Sequence, residues 1–120
     1  MKHSNEFLNI VEESRGRINE IDVENTKKRM AEGAVLIDVR EDNEWDAGHA
    51  TGSVHLGRGI IERDIMGLYP EKDTELILYC GGGFRSAMAA DNLQKMGYTN
   101  VFSMAGGWKA WKDAGMKVES

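Results

Sequence analysis

The sequence has a single cysteine, a single proline and no long apolar run among its 120 residues. One cysteine cannot close an intramolecular disulfide, which argues against a small secreted scaffold held together by crosslinks. No stretch approaches the roughly 18 apolar residues of a membrane-spanning helix, and the polar first ten residues lack the apolar core of a signal peptide. We therefore expect a cytoplasmic protein with no membrane partner, in which a lone thiol stays reduced and available for chemistry.

Positive charge is also scarce. Lys and Arg number 15 against 20 Asp and Glu, and the resulting net charge of −5 argues against nucleic acid as a partner. A small anionic ligand remains compatible with this balance, because charges farther apart than about 8 Å are largely screened at physiological salt. The chain is long enough to bury a core of its own, and its 41% hydrophobic residues are ordinary for a globular domain.

The single cysteine stands between an apolar run and a run of helix formers. Residues 76–79 form the apolar run, three glycines follow Cys80, and helix formers continue to Gly97. This order predicts a strand, a loop and a helix, with the thiol at the end of the strand. The N–H groups of a glycine-rich loop can converge on one point beside a helix N-terminus, so the loop is predicted to bind an anion and to favour the Cys80 thiolate. A helix N-terminus usually contributes only about 0.3 to 1 kcal/mol, so loop amides and the charge of Arg85 are expected to add to it.

Short apolar runs alternate with amphipathic segments along the rest of the chain. Strands are predicted over residues 18–21, 35–39, 53–56, 76–79 and 100–104. Two helices are predicted over residues 22–32 and 60–68, a third directly after the cysteine loop, and a fourth after Gly107. Ile61, Ile65 and Leu68 share one face of the helix over residues 60–68. The alternation predicts one α/β domain with a parallel sheet and helices on both faces.

A further helix is predicted ahead of this alternation, where apolar residues recur at near-helical spacing through residues 5–14. We expect residues 1–17 to form a helical extension that packs on a domain spanning residues 18–120. A dimerisation arm is the alternative interpretation of this helix.

Several polar residues near the predicted strand ends invite a catalytic interpretation, because open α/β folds build their sites there. We expect instead that the Asp38 carboxylate accepts loop N–H bonds, that Arg40 forms an ion pair and that His49 is a hydrogen-bonded structural residue. Arg58 and Arg63 are expected at the surface, with positive potential near the thiol as the alternative.

The cysteine loop resembles the active-site loop of the rhodanese (sulfurtransferase) family, in which a cysteine, four residues, an arginine and a serine or threonine surround a catalytic sulfur. Cys80, Arg85 and Ser86 fit this spacing. Further matches cover residues 18–115 and lie at residues 36–40, Glu44-Trp45, Gly48-His49 and Gly106-Gly107-Trp108. The sequence departs from the family pattern at residues 50–53, where that pattern has an apolar residue, a proline and Gly-Ala.

The resemblance implies a single rhodanese-like domain with a five-stranded parallel sheet, in which Cys80 follows the fourth strand. It also implies a sulfurtransferase whose catalytic Cys80 takes sulfur from a small anionic donor such as thiosulfate, or from a persulfide, and passes it to cyanide or a protein thiol. No metal or organic cofactor is required. The expected substrate-binding residues are Gly81, Gly82, Gly83, Phe84, Arg85 and Ser86.

Individual loop residues have more specific expected roles. Arg85 either binds the donor or pairs with Glu44 or Asp38 to hold the loop, and we favour pairing. Phe84 is expected at the pocket mouth. Ser86 is expected to cap the following helix and to donate its hydroxyl toward the sulfur.

Four other interpretations of the loop remain open. Rhodanese-like domains can be non-enzymatic docking modules, although these often lack the cysteine. Thiol phosphatases and arsenate reductases use a similar loop, but with five residues between cysteine and arginine instead of four. A nucleotide site lacks its required residues. A buried structural cysteine is the remaining alternative.

Overall fold

The computed structural model describes residues 3–120, which form six helices and seven strands. None of these helices is long and apolar enough to cross a membrane. In chain order the elements are α1 (Asn5–Arg15), β1 (Asn19–Ile21), α2 (Val23–Ala31), β2 (Val35–Asp38), α3 (Asp42–Ala47), β3 (His49–Ala50), β4 (Val54–His55), α4 (Ile61–Leu68), β5 (Leu76–Tyr79), α5 (Phe84–Lys95), β6 (Val101–Met104), α6 (Gly107–Asp113) and β7 (Val118–Glu119).

A five-stranded parallel sheet with strand order β1-β6-β5-β2-β4 forms the centre of the molecule. The predicted α/β fold with a five-stranded parallel sheet is therefore confirmed. Cys80 directly follows β5, the fourth strand of this sheet along the chain. The sequence did not predict the second sheet, in which β3 and β7 pair antiparallel.

The core lies on both faces of the sheet, because strands buried on both sides alternate their apolar side chains between two helical layers. On one face Leu76 and Leu78 belong to a cluster that includes Ile65 of α4 and Leu93 of α5. On the other face Ile77 packs in a cluster with Val23, at the start of α2, and Trp111 of α6. Helices thus cover both faces, as the alternation of elements predicts.

The apolar face of α4 is shorter than its spacing predicts. Ile61 and Ile65 are fully buried, but Leu68 is 53% exposed. Leu68 is the last residue of the helix, next to its C-cap Tyr69, so the face that the three residues share is not covered at this end. The packed face ends about one turn earlier.

The first helix is fastened to α5. Val11 is fully buried, and Arg17 donates two hydrogen bonds to Asp91 of α5, at 2.9 and 2.7 Å. Ser14 donates a third, at 3.4 Å. These bonds from Arg17 hold the pKa of Asp91 below its ordinary value. The helix therefore packs on the sheet domain, while the division of the chain at residue 17 stays a prediction.

Candidate active site

The loop after β5 begins at the carboxyl end of a buried parallel strand. Cys80 is its first residue, and Gly83 forms the N-cap of α5 in the left-handed region, at φ 102°. Only glycine adopts that conformation without strain, so Gly83 lets the chain turn from the strand directly into the helix. Because α5 starts at Phe84, the expectation that Ser86 caps this helix is wrong: Ser86 already lies in its first turn.

Two groups contact the sulfur. The backbone N–H of Gly83 donates to Cys80 Sγ at 3.1 Å, and Ser86 Oγ lies 3.5 Å from the same atom. Within residues 3–120 these are the hydrogen bonds to the sulfur, so one loop amide contributes where the glycine content predicts several. The side-chain hydroxyl of Ser86 thus takes a place that the sequence analysis assigned to loop N–H groups.

A fully buried serine of β6 extends this contact. Ser103 Oγ lies 2.8 Å from Ser86 Oγ, and both residues are inaccessible to solvent. A thiolate has no proton to give, so Ser86 must donate to an ionised sulfur and must then accept its second bond from Ser103. Ser103 therefore orients the Ser86 hydroxyl toward Cys80. The sequence gives no signal for this residue, since a serine in a strand is unremarkable.

Cys80 lines a cavity of about 460 Å³ although only 1% of its surface is exposed. Cys80 is thus a nearly buried residue at the wall of this cavity. Gly82, Phe84 and Arg85 of the loop line the same cavity. The remaining lining residues come from other segments and are Glu44 of α3, with His3 and Phe7 at the N-terminus.

Arg85 is paired with Glu44. Its two terminal nitrogens donate to the two carboxylate oxygens at 2.7 and 3.1 Å, a bidentate arrangement. These bonds raise the pKa of Arg85, with a further contribution from the charge of Cys80, and they hold the pKa of Glu44 below its ordinary value. Glu44 and Asp38 were the two predicted pairing partners of Arg85, and the partner in the structure is Glu44.

The other carboxylate, Asp38, belongs to a separate buried network. It accepts hydrogen bonds from the backbone and guanidinium of Arg40, at 2.8 to 3.1 Å, and from the Tyr79 hydroxyl at 2.6 Å. Burial, together with the bond to Asp38, raises the pKa of Tyr79. Arg40 also donates to the Gly48 carbonyl at 2.7 Å, which anchors the chain at the end of α3. The structural roles expected for Asp38 and Arg40 are confirmed.

The helix that carries Glu44 is held by a stack of rings. The Trp45 ring stacks on the His49 ring, with centroids 3.4 Å apart, and on the His55 ring, with centroids 5.0 Å apart. His49 Nδ1 is 3.0 Å from the Trp45 carbonyl oxygen, which confirms the expected hydrogen-bonded histidine. These contacts fix α3 and thereby the carboxylate that Arg85 binds.

The two arginines ahead of the loop do not line the cavity. Arg63 is 74% exposed at its side chain and pairs with Asp64, as expected for a surface residue. The Arg58 side chain is 30% exposed, less than expected for a surface residue, and its Nη1 lies 3.7 Å from Glu62 Oε2. The alternative of a positive potential from these residues near the thiol finds no support.

The sequence did not indicate that the N-terminal segment reaches the site. The ring of Phe7 lies 6.0 Å from that of Phe84, and the His3 ring is 5.0 Å from both. Helical spacing predicted an apolar face on α1, but not which part of the domain that face covers. Within residues 3–120, no group of three or more His, Cys, Asp or Glu side chains is arranged to hold a metal ion.

Comparison with known proteins gives a consistent result. Residues 22–114 match the family model of the rhodanese-like domain. The chain is 35% identical over 82 residues to the thiosulfate sulfurtransferase GlpE of Pseudomonas entomophila, covering 68% of this chain and 73% of that protein. It is 37% identical over 83 residues to the protein of the same name from Pseudoalteromonas translucida, covering 69% and 77%.

Among solved structures, protein RPA3614 of Rhodopseudomonas palustris is similar over nearly the whole length. The TM-score is 0.87 at 29% identity, with 99% of this chain and 98% of that chain covered. That protein is described as of unknown function and as a possible tyrosine phosphatase. Its similarity therefore extends through α1, which lies outside the segment that the family model matches.

Proposed function

The chain belongs to the rhodanese-like domain family, and from this premise we propose that it is a sulfurtransferase which carries a sulfur atom as a persulfide on Cys80. Relatives named thiosulfate sulfurtransferase, at about 35% identity, support rhodanese-like sulfurtransferase activity. The observation that carries this proposal is the position of Cys80: the residue lines a cavity, and its sulfur is contacted by the Gly83 amide and the Ser86 hydroxyl.

The reaction consists of two displacements at one nucleophile. The Cys80 thiolate attacks the outer sulfur of thiosulfate, a bond forms between the two sulfur atoms, and sulfite leaves with the electron pair of the broken S–S bond. Cyanide or a thiolate acceptor then attacks the outer sulfur of the persulfide and regenerates the Cys80 thiolate. The enzyme alternates between two covalent forms, so ping-pong kinetics are expected.

Chain residues supply the positioning that these steps need. The Gly83 N–H and the Ser86 hydroxyl face the sulfur and stabilise its negative charge, and the low exposure of Cys80 shields the persulfide from solvent. Arg85 and Glu44 brace the loop by pairing with each other. The two displacements do not require proton transfer from a histidine, because the proposed nucleophile is the Cys80 thiolate.

The test is formation of thiocyanate from thiosulfate and cyanide by the purified protein and by its Cys80→Ser variant. We expect turnover by the wild type and none by the variant, whose circular dichroism and melting temperature should match the wild type. Turnover that persists in Cys80→Ser would exclude the mechanism.

Simple measurements distinguish the proposed function from two alternatives. A thiol phosphatase would hydrolyse a generic phosphomonoester, and we expect no hydrolysis because only four residues separate Cys80 from Arg85. A non-enzymatic docking module would not gain sulfur from any donor. The proposed function requires that gain, with a protein thiol as one class of acceptor.

A further inference from the structure

A groove away from the cysteine loop lies between α2, the turn after β3 and the segment that joins α6 to β7. Its apolar lining consists of Met30, Trp111 and Met116, which belong to the core cluster on the sheet face covered by α2 and α6. Lys27 and Lys117 line it as well, and we call it the lysine groove. It shares no lining residue with the cavity beside Cys80.

Charge, and not size, distinguishes the lysine groove from other depressions of the surface. Lys27 and Lys117 line it, and no carboxylate of the described chain does. Within residues 3–120 neither ammonium group forms an ion pair. Four other depressions are each lined by at least one carboxylate, from Asp22, Glu24 and Asp113, from Glu13 and Asp91, from Glu44, and from Asp64. In a protein of net charge −5, the groove is therefore a local region of uncompensated positive charge.

The lysine groove is built where the sequence departs from the rhodanese pattern. Thr51 stands where that pattern has proline, and it lines the groove. The backbone N–H of Thr51 donates to the Lys117 carbonyl at 3.1 Å, a bond that proline cannot make. This bond attaches the segment that carries Lys117 to the turn after β3. The groove is therefore a feature of this chain and does not follow from the family pattern.

The apolar lining can accept an apolar side chain without leaving a buried polar atom unpaired. The Nε1–H of Trp111 donates to the Lys117 carbonyl at 2.9 Å, so the indole needs no hydrogen-bond partner from a ligand. Met30 and Met116 are only partly buried beside it. Methionine side chains are flexible and adapt to apolar groups of different shape, which suits a surface that binds a peptide.

We propose that the lysine groove binds an acidic peptide segment of a partner protein, in which an apolar side chain lies between carboxylates. The apolar side chain packs against Met30 and Met116, and the carboxylates pair with Lys27 and Lys117. The two lysines belong to different elements, α2 and the segment after α6, so a ligand with two separated negative charges complements both. A small acid with one carboxylate leaves one lysine uncompensated, which favours a peptide.

The experiment measures binding of dye-labelled pentapeptides to the full chain by fluorescence anisotropy. The probes have the sequence Glu-Asp-X-Asp-Glu, where X is leucine, phenylalanine or methionine. One set of counterparts has lysine in place of the four acidic residues, and another has serine as X. We expect the acidic apolar probes to bind, with affinity that falls as salt is added, and both counterparts to bind about tenfold or more weakly.

Charge reversal in the protein identifies the groove. Lys27→Glu and Lys117→Glu should each weaken binding of the acidic probes about tenfold, because a repulsion replaces an attraction. Lys28→Glu is the matched control: Lys28 is the neighbour of Lys27 on α2, is exposed and does not line the groove. It changes the net charge equally and should alter the affinity by less than about twofold, since charges that far from the ligand are screened. Melting temperatures of all variants check that they are folded.

A charge swap provides the second arm of the test. The double variant Lys27→Glu/Lys117→Glu should bind the lysine-containing counterparts in preference to the acidic probes. Failure of the wild type to bind any acidic apolar probe would overturn the inference, and so would an equal loss of affinity in Lys28→Glu. Displacement of a bound probe by decanoate at a lower concentration than by unlabelled peptide would overturn the peptide assignment in favour of a free carboxylate.

Discussion

At the scale of single residues, the site depends on how one sulfur atom is held. Cys80 is hydrogen-bonded by one backbone N–H and one hydroxyl, and that hydroxyl depends on Ser103 for its orientation. The motif spacing identifies Cys80 and Ser86, because both stand at fixed positions of the loop. Ser103 could not be predicted, since it reaches the loop only through the pairing of β5 with β6.

The chain of hydroxyls predicts a non-additive pair of substitutions. A hydrogen bond to a charged group contributes about 1.5–3 kcal/mol, so Ser86→Ala should slow persulfide formation at neutral pH about tenfold or more. Ser103→Ala should slow it less, because the Ser86 hydroxyl remains but is no longer oriented. In the Ser86→Ala background Ser103→Ala should have no further effect on the rate.

Stopped-flow measurement of persulfide formation in the four proteins of this cycle gives the coupling between the two serines. Thermal unfolding of the same proteins serves as the control for stability. Independent effects that multiply in the double variant would show that Ser103 does not act through Ser86.

At the scale of elements, the start of α6 supports the sulfur loop from behind. Gly107 lies at φ 53°, and a Cβ there would overlap the Cys80 carbonyl oxygen and approach the Gly81 carbonyl to 2.9 Å. The N–H of Trp108 donates to that Cys80 carbonyl at 2.7 Å. The helix thus requires glycine at its first position for both conformation and close approach.

Gly107→Ala is expected to displace the loop and to reduce persulfide formation more than tenfold, because the atoms in the way are backbone and cannot rotate aside. Gly115→Ala is the matched control: Gly115 also has a positive φ, 73°, but a Cβ there meets nothing within 4 Å. Both variants carry backbone strain, so the difference between their rates isolates the clash. Equal rates for the two variants would contradict the supporting role of α6.

The elements themselves were largely predictable, and the reason is their periodicity. The continuous apolar run of β5 and the helical spacing of α5 gave both elements and the loop between them. The two-residue strands β3 and β7 are too short to show an alternation of apolar and polar residues. They also pair with each other although they are far apart in the sequence. The face of α1 was visible in the sequence, but its position over Cys80 depends on tertiary contacts with α5 that carry no local signal.

At the scale of the whole molecule, the cavity is assembled from distant segments. The loop after β5 supplies Cys80 and Arg85, α3 supplies Glu44 and the N-terminal helix supplies Phe7. The N-terminal segment is attached through the buried Val11 and through Asp91, a carboxylate that is 3% exposed and faces Arg17, Ser14 and Lys95. The site is therefore complete only when α1 is docked.

This attachment predicts a specific loss of stability in acid. The pKa of Asp91 is lowered in the folded protein by its bonds to Arg17, so its contribution is fully present above the ordinary value of 3.8 and is lost as pH falls through the lower folded value. Asp91→Asn should melt several degrees below the wild type at pH 7. The difference should shrink below pH 3.8.

Melting curves of both proteins between pH 7 and pH 3 check this expectation. Asp113→Asn is a suitable control, since Asp113 pairs with Lys109 at a side chain that is 65% exposed, and it should change stability little at any pH. A difference between wild type and Asp91→Asn that stays constant across the range would show that Asp91 does not act through its charge.

The intact mass of the protein after exposure to a sulfur donor and removal of the excess tests the central claim most directly. The wild type should gain the mass of one sulfur atom, lose it again on addition of cyanide, and the Cys80→Ser variant should gain nothing. Absence of the added sulfur in the wild type with every donor, or its presence in Cys80→Ser, would contradict a persulfide carried on Cys80.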